Sequence, residues 1–306
     1  MPISRTNDQD AAFWLLDPSP LEELDQSSQQ AALHLFSDHI WSYYRHEQRN
    51  FPWRETDDPY KILLSELMLQ QTQTERVLPK YSLFLEQWPD FKAMAQASIA
   101  EVIAAWRGLG YNRRALALRT IAQQSESFGW TLPNDYDELL KLPMIGPATA
   151  AAICAFSYRE PAIYLETNIR RVLIHQFHPH EDRVSDTSLR RELRELLQFQ
   201  VDYKQWYYAL MDYGVYLKRV LVNPNRKSAH YTKQAKFAGS NRQIRGLLLL
   251  VFTEQGLLPL EELCNRIPFP RERIEQCLQS LISEGFVHTY MQTAEEPQIR
   301  YGIPSD

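Results

Sequence analysis

Residues 142–172 read LPMIGPATAAAICAFSYREPAIYLETNIRRV, and their reading decides the fold. Leu142-Pro143 closes the helix before it, since the residue ahead of a proline is pushed out of the helical region. Met144-Ile145-Gly146-Pro147 is a turn. Gly146 is expected to take backbone angles that other residues avoid, and Pro147 suits the first position of a new helix. That helix is predicted to run through Ala148, Thr149 and the alanines to about Ser157. A loop then delivers one carboxylate, Glu166. The start of such a helix leaves backbone N–H groups unpaired, and a nucleic-acid phosphate fits them without sequence preference. An ordinary αα-hairpin in a helical core has the same signature, so the hairpin alone does not decide function.

Outward from it, apolar residues recur at helical spacing almost everywhere. Residues 1–28 form a polar arm with apolar anchors at Phe13, Trp14 and Leu15. A helix over 28–46, capped by Ser27 or Ser28, is followed by the loop RNFPWRETDDP. The next helix, Tyr60 to about Gln73, places Glu66 and Gln70 four apart on one face. Further helices are predicted over about 75–86, 91–95, 98–107, 112–128, 135–141, 166–178, 187–198 and 203–218. Residues 241–306 differ: helices at Arg242–Thr253, Leu258–Arg266 and Arg271–Ser283 precede FVHTYMQ and QIRYGI, which alternate around TAEEP. Three helices and a β-hairpin are the plan of a winged helix. Its third helix carries Arg271, Arg273 and Gln276 but also Glu272 and Glu275, which leaves groove reading, protein contact and a purely structural role equally open.

The hairpin and LETNIRRVL, together with FPWRETDDPYKILLSELMLQQTQ at 51–73 and GLGYNRRALAL at 108–118, resemble the helix-hairpin-helix DNA glycosylase superfamily. The adenine glycosylase branch is the nearer match and endonuclease III the more distant one. The similarity covers roughly residues 30–222, with several motifs in the same order. The fold it implies is mainly α and two-lobed. Residues 59–158 would form a six-helix domain holding the hairpin. Residues 29–58 plus 159–240 would form a second helical domain, and 241–306 the small winged-helix-like domain.

The 306 residues suffice for two or three domains. No apolar run is long enough to span a bilayer, and the N-terminus lacks the pattern of a secretory signal, so a cytoplasmic, nucleoid-associated monomer is expected. The net charge of −5 argues against nucleic-acid binding only if charge is evenly spread. It is not. Between Tyr213 and Gly246 stand Lys218, Arg219, Arg226, Lys227, Lys233, Lys236, Arg242 and Arg245, with no Asp or Glu among them. A solvated linker would show the same composition; the interleaved Tyr231 and Phe237 favour a phosphate-tracking surface. The three cysteines, Cys154, Cys264 and Cys277, have no ligand spacing. Many proteins of the resembled superfamily hold a four-cysteine iron–sulfur cluster just after the segment matching 207–217. Such a site needs four thiolates, so no cluster and no metal are expected here.

Cleaving a base from its sugar makes an oxocarbenium-like sugar and a departing base. A protein lowers the barrier by protonating the base and by placing negative charge near the cation. The target must also leave the duplex stack, and its gap must be filled. The resemblance assigns the acid to Glu66, on the apolar helix ILLSELML, where crowding by Leu64, Leu67 and Met68 would keep it protonated. A surface glutamate on an amphipathic helix is the ordinary alternative. Glu166 stands where the family has aspartate; it either stabilises the cation and activates water, or only caps the next helix. Ala148 stands where bifunctional relatives have a lysine nucleophile, so base removal without strand cleavage is implied. By the same resemblance Gln70 fills the gap, Asn112 stands where an aromatic wedge is common, Trp53 and Arg54 line the base pocket, and Gly146 and Thr149 grip a phosphate. The implied function is a monofunctional glycosylase acting on mispaired adenine in double-stranded DNA. Two alternatives stand: the same fold acting on mismatched uracil or thymine or on a deaminated purine, and a non-catalytic damage-binding protein.

Overall fold

The structure, a computed structural model, describes residues 13–232, 236–291 and 299–304. Its α-helices are, in chain order, α1 (Gln26–Glu47), α2 (Pro59–Leu69), α3 (Thr74–Gln87), α4 (Phe91–Gln96), α5 (Ile99–Trp106), α6 (Arg113–Gln124) and α7 (Tyr136–Leu140). They continue with α8 (Pro147–Ser157), α9 (Thr167–Phe177), α10 (Asp186–Leu197), α11 (Tyr203–Val220), α12 (Asn241–Gln255), α13 (Leu260–Arg266) and α14 (Arg271–Ser283). Short strands β1 (Leu258–Pro259), β2 (His288–Met291) and β3 (Ile299–Gly302) complete it. No described helix is long and apolar enough to cross a membrane. The chain divides into two compact units. One comprises Met1–Asp57, Asn134–Tyr136 and Gly146–Lys233; the other comprises Asp58–Pro133, Asp137–Ile145 and Gln234–Asp306.

In the first unit, α1 and α11 share an aromatic seam. Phe36 meets Trp206 edge to face at 6.4 Å, and Tyr43 meets Tyr213 at 5.2 Å. α1 is capped not by Ser27 or Ser28 but by Asp25, whose carboxylate accepts the Ser28 N–H at 2.9 Å. α9 crosses α11 so closely that a Cβ on Gly214 would stand 2.4 Å from the Asn168 carbonyl oxygen.

In the second unit, Leu63, Leu64, Leu67 and Met68 of α2 are fully buried, as are Phe84 and Trp106, whose rings meet edge to face at 5.6 Å. α2 ends at Leu69, earlier than the predicted Gln73. Gln70 already has ψ 108 and Gln71 turns left-handed with φ 55, so Glu66 and Gln70 do not share a helical face. The C-terminal part has the expected winged-helix plan of three helices and an antiparallel hairpin, with Tyr290 opposite Arg300. It gains one strand that periodicity did not show: β1 pairs with β3, placing Leu258 opposite Tyr301, so α13 starts only at Leu260. The TAEEP turn lies outside the described residues.

At the hairpin, the chain passes from the second unit to the first between Ile145 and Gly146. The left-handed residue of the turn is Met144, with φ 60. Gly146 is extended, with φ −94 and ψ 179, which any residue adopts, so the expectation of special backbone angles there is corrected.

Candidate active site and DNA-facing surfaces

Glu66 lies in the middle of α2, half-buried between neighbours that are wholly enclosed. The helix has Asp58 as its cap, accepting the Tyr60 N–H at 2.9 Å, and Pro59 at its first position. The residues flanking Glu66 in the helix, Leu63, Leu64, Ser65, Leu67 and Met68, are buried.

Just beyond α2, the Gln70–Thr72 loop is fastened by a residue that sequence reading missed. Arg114 is only 1 % exposed. Its Nη1 donates to the carbonyls of Leu67 at 2.6 Å, Met68 at 3.0 Å and Gln70 at 2.6 Å. Its Nη2 donates to Gly110 O at 2.7 Å, Leu109 O at 3.1 Å and Thr72 Oγ1 at 3.1 Å. One guanidinium thus binds the Gln70 loop to the Leu109–Asn112 turn. Burial pushes it down to about 10, still charged at neutral pH. The available signal was an arginine in register with the buried Leu118 and Ile121 of α6. Asn112 is half-buried at the start of α6 and makes no side-chain capping bond. Gln70, Asn112, Gln71 and Tyr111 border a cavity of about 900 Å³ within the second unit.

In the first unit, Glu166 caps α9. Its Oε1 accepts the N–H groups of Asn168 at 2.7 Å and Ile169 at 2.9 Å, and Oε2 accepts Asn168 Nδ2 at 3.2 Å. Asn168 is itself placed by Arg171, which donates to Asn168 Oδ1 at 2.8 Å and to the Gly214 carbonyl at 2.7 Å. Burial pushes the Glu166 carboxyl up. The Ile169 and Asn168 N–H groups and the Arg171 and Arg170 charges pull it down and offset this only in part. The side chain keeps an edge open to solvent, so dense packing around the carboxyl, not full enclosure, is the cause.

Gly146, Pro147 and Ala148 at the start of α8 are accessible, and Thr149 behind them is buried. A Cβ at Gly146 would meet nothing within 4 Å, so the residue leaves open space beside the first turn. Trp53 is 5 % exposed and stacks on Phe51 with centroids 5.0 Å apart, a core contact. Arg54, the other residue the resemblance assigned to the base pocket, is buried and engaged by other side chains. Both terminal nitrogens bind Asp212, at 2.8 and 2.7 Å, while its guanidinium lies 4.5 Å from the Tyr208 ring centroid. Arg49 joins the same carboxylate at 2.7 Å. Removing either partner would leave an uncompensated buried charge.

Of the basic stretch, Lys218, Arg219 and Arg226 are exposed in the first unit, while Lys227 donates to Pro179 O at 2.6 Å. Lys236 is exposed in the second unit; Lys233 lies outside the described residues. The backbone around Lys227 is held by a parallel bridge from Val184 to Ser228.

A family model of the HhH-GPD superfamily of base excision DNA repair proteins matches residues 64–199. The adenine DNA glycosylase of Mycolicibacterium smegmatis is 34% identical over 277 residues, 84% of this chain and 92% of that one. The adenine DNA glycosylase of Mycobacterium tuberculosis is 31% identical, covering 74% of this chain and 81% of its own. The chain belongs to the HhH-GPD superfamily. Among solved structures, a thermostable thymine-DNA glycosylase superposes with a TM-score of 0.53 at 25% identity, covering 62% of this chain and 88% of its own. The superfamily match spans α2 to α10 and so contains Glu66, the hairpin and Glu166.

Proposed function

We propose that this base-excision DNA glycosylase removes adenine from mispairs without cutting the strand, leaving an abasic site in an intact backbone. The observation that carries the reading is Glu66: a half-buried carboxyl on an apolar helix, in a chain similar to adenine DNA glycosylases over most of its length. Glu66 protonates the everted base, which departs with the electrons of the bond to C1′. Glu166, whose oxygens are oriented by the α9 N–H groups, stabilises the cationic sugar and takes a proton from the water that adds to C1′. Ala148 offers no amine at the start of α8, so no Schiff base forms there. The open first turn of α8 at Gly146, together with Thr149, grips a backbone phosphate. Gln70 and Asn112 occupy the space vacated by the base, while Lys218, Arg219, Arg226 and Lys236 track the backbone.

A second reading, thymine or uracil as the target, is favoured by the likeness to the thymine-DNA glycosylase structure. Single-turnover assays on duplexes with A:oxoguanine, A:G, T:G, U:G and hypoxanthine:T separate the two. Release of adenine alone supports the proposal; release of a pyrimidine, with adenine untouched, overturns it.

A further inference from the structure

The C-terminal part of the second unit touches the Leu109–Asn112 turn through a small set of side chains. Arg242, in the first turn of α12, donates from Nη1 to Tyr111 Oη at 2.6 Å, and its guanidinium lies 5.4 Å from the Tyr111 ring centroid. The Arg114 guanidinium lies 5.5 Å from the same ring. Tyr111 has φ 49, a left-handed conformation that a non-glycine residue holds only where its surroundings over-determine it. The next ties are ionic. Arg113 binds Glu284 at 2.7 and 2.8 Å, and Glu284 also takes Arg245 at 2.7 and 2.9 Å and Ser280 Oγ at 2.8 Å. Meanwhile the arginines of α14, the helix that a winged helix would offer to a DNA groove, are engaged within the segment. Arg271 binds Glu261 at 2.6 Å and Glu275 at 2.8 Å; Arg273 binds Gly239 O at 2.8 Å and Asn241 Oδ1 at 2.7 Å.

We propose that Arg242 is a positioning residue for base eversion: acting through Tyr111 Oη, it holds the Leu109–Asn112 turn in the form that engages the opened duplex. The C-terminal segment is then a brace for the glycosylase machinery and not a separate groove reader. This rests on the reading that Asn112 and Gln70 enter the gap left by the everted base. The ties run in the order the role requires. Arg114 fixes the turn from beneath, Arg242 fixes its one ring from the C-terminal side, and the Arg113–Glu284–Arg245 group fixes the helix start that follows. The left-handed backbone at Tyr111 is the part that would relax if the Oη bond were lost.

The test is a double-mutant cycle of Arg242→Met and Tyr111→Phe in the full chain. It is read as the fluorescence of a duplex with 2-aminopurine in place of the target base, which needs no excision. Each single variant should slow eversion by roughly 10-fold, as a misplaced positioning group does, and the double variant should be no slower than either single one. Duplex affinity at low salt should stay within about 2-fold, since the Arg242 guanidinium, although part of the basic stretch, is engaged with Tyr111. A wild-type rate in R242M, or effects that multiply in the double variant, overturns the proposal. Should R242M not fold, Arg242→Lys enters the same cycle and is judged by the same two outcomes. Absence of adenine release by the wild-type chain, with the 2-aminopurine cycle behaving as described, would sink the substrate reading alone.

Discussion

Glu166 holds two N–H groups with one oxygen, and this fixes where its charge stands. The arrangement has a thermodynamic consequence. Its folded carboxyl titrates above the ordinary glutamate value of 4.5 because burial disfavours the charge. A group raised in this way contributes stability that is fully present below 4.5 and is lost as pH rises through its folded value. Ionising Glu166 therefore costs the fold stability as pH rises. Glu166→Gln keeps an acceptor for the cap and removes the charge. Its melting temperature by calorimetry should exceed that of the wild type near neutral pH, and the gap should close below the ordinary glutamate range. A lower melting temperature at neutrality would contradict this. The same residue shows how far sequence reading reached. The capping role was legible in LETNIRRV as one of two expectations for Glu166, but the rise in its pKa was not, because burial in the folded chain causes it. The partners of Arg54 were not legible either: Asp212, which both of its terminal nitrogens bind, stands more than a hundred residues away.

Among the elements, the α9–α11 crossing is the one on which the site depends most. Gly214 admits the Asn168 backbone, and Asn168 in turn binds Glu166. Gly214→Ala would force the helices apart at the point where a Cβ meets a carbonyl oxygen. It should cost about 1–3 kcal/mol of stability in urea unfolding, as overpacking does, and it should lower the excision rate in excess of any unfolded fraction. Unchanged stability and rate would mean the helices shift freely there. Helix positions were legible because apolar spacing records which face is buried. Turns were less so. α2 was read too long because Gln70-Gln71-Thr72-Gln73 carries no breaker; the chain leaves the helix there because Arg114 collects its carbonyls, a tertiary cause. At 142–147 the glycine drew attention, yet Met144 bears the left-handed angle.

For the whole molecule, the net charge of −5 and the proposed duplex binding are reconciled by where the charge stands. Lys218 and Arg219 end α11 exposed, with no acid between them and residue 246. Replacing both with alanine should reduce the slope of log affinity against log salt by roughly 2, since each phosphate contact contributes about 0.9. An unchanged slope would remove them from the DNA-facing surface. The mainly helical fold and the winged-helix plan of residues 241–306 were legible in period and order, whereas the use of that segment's arginines was not, because ion pairs leave no mark on periodicity. The central claim is most directly tested by comparing wild-type and Glu66→Gln chains on one duplex with adenine opposite oxidised guanine, measuring binding and single-turnover release together. The wild type should yield free adenine and an uncut strand, with release at least about 100-fold slower in the variant at similar affinity. Equal release by the two would contradict it.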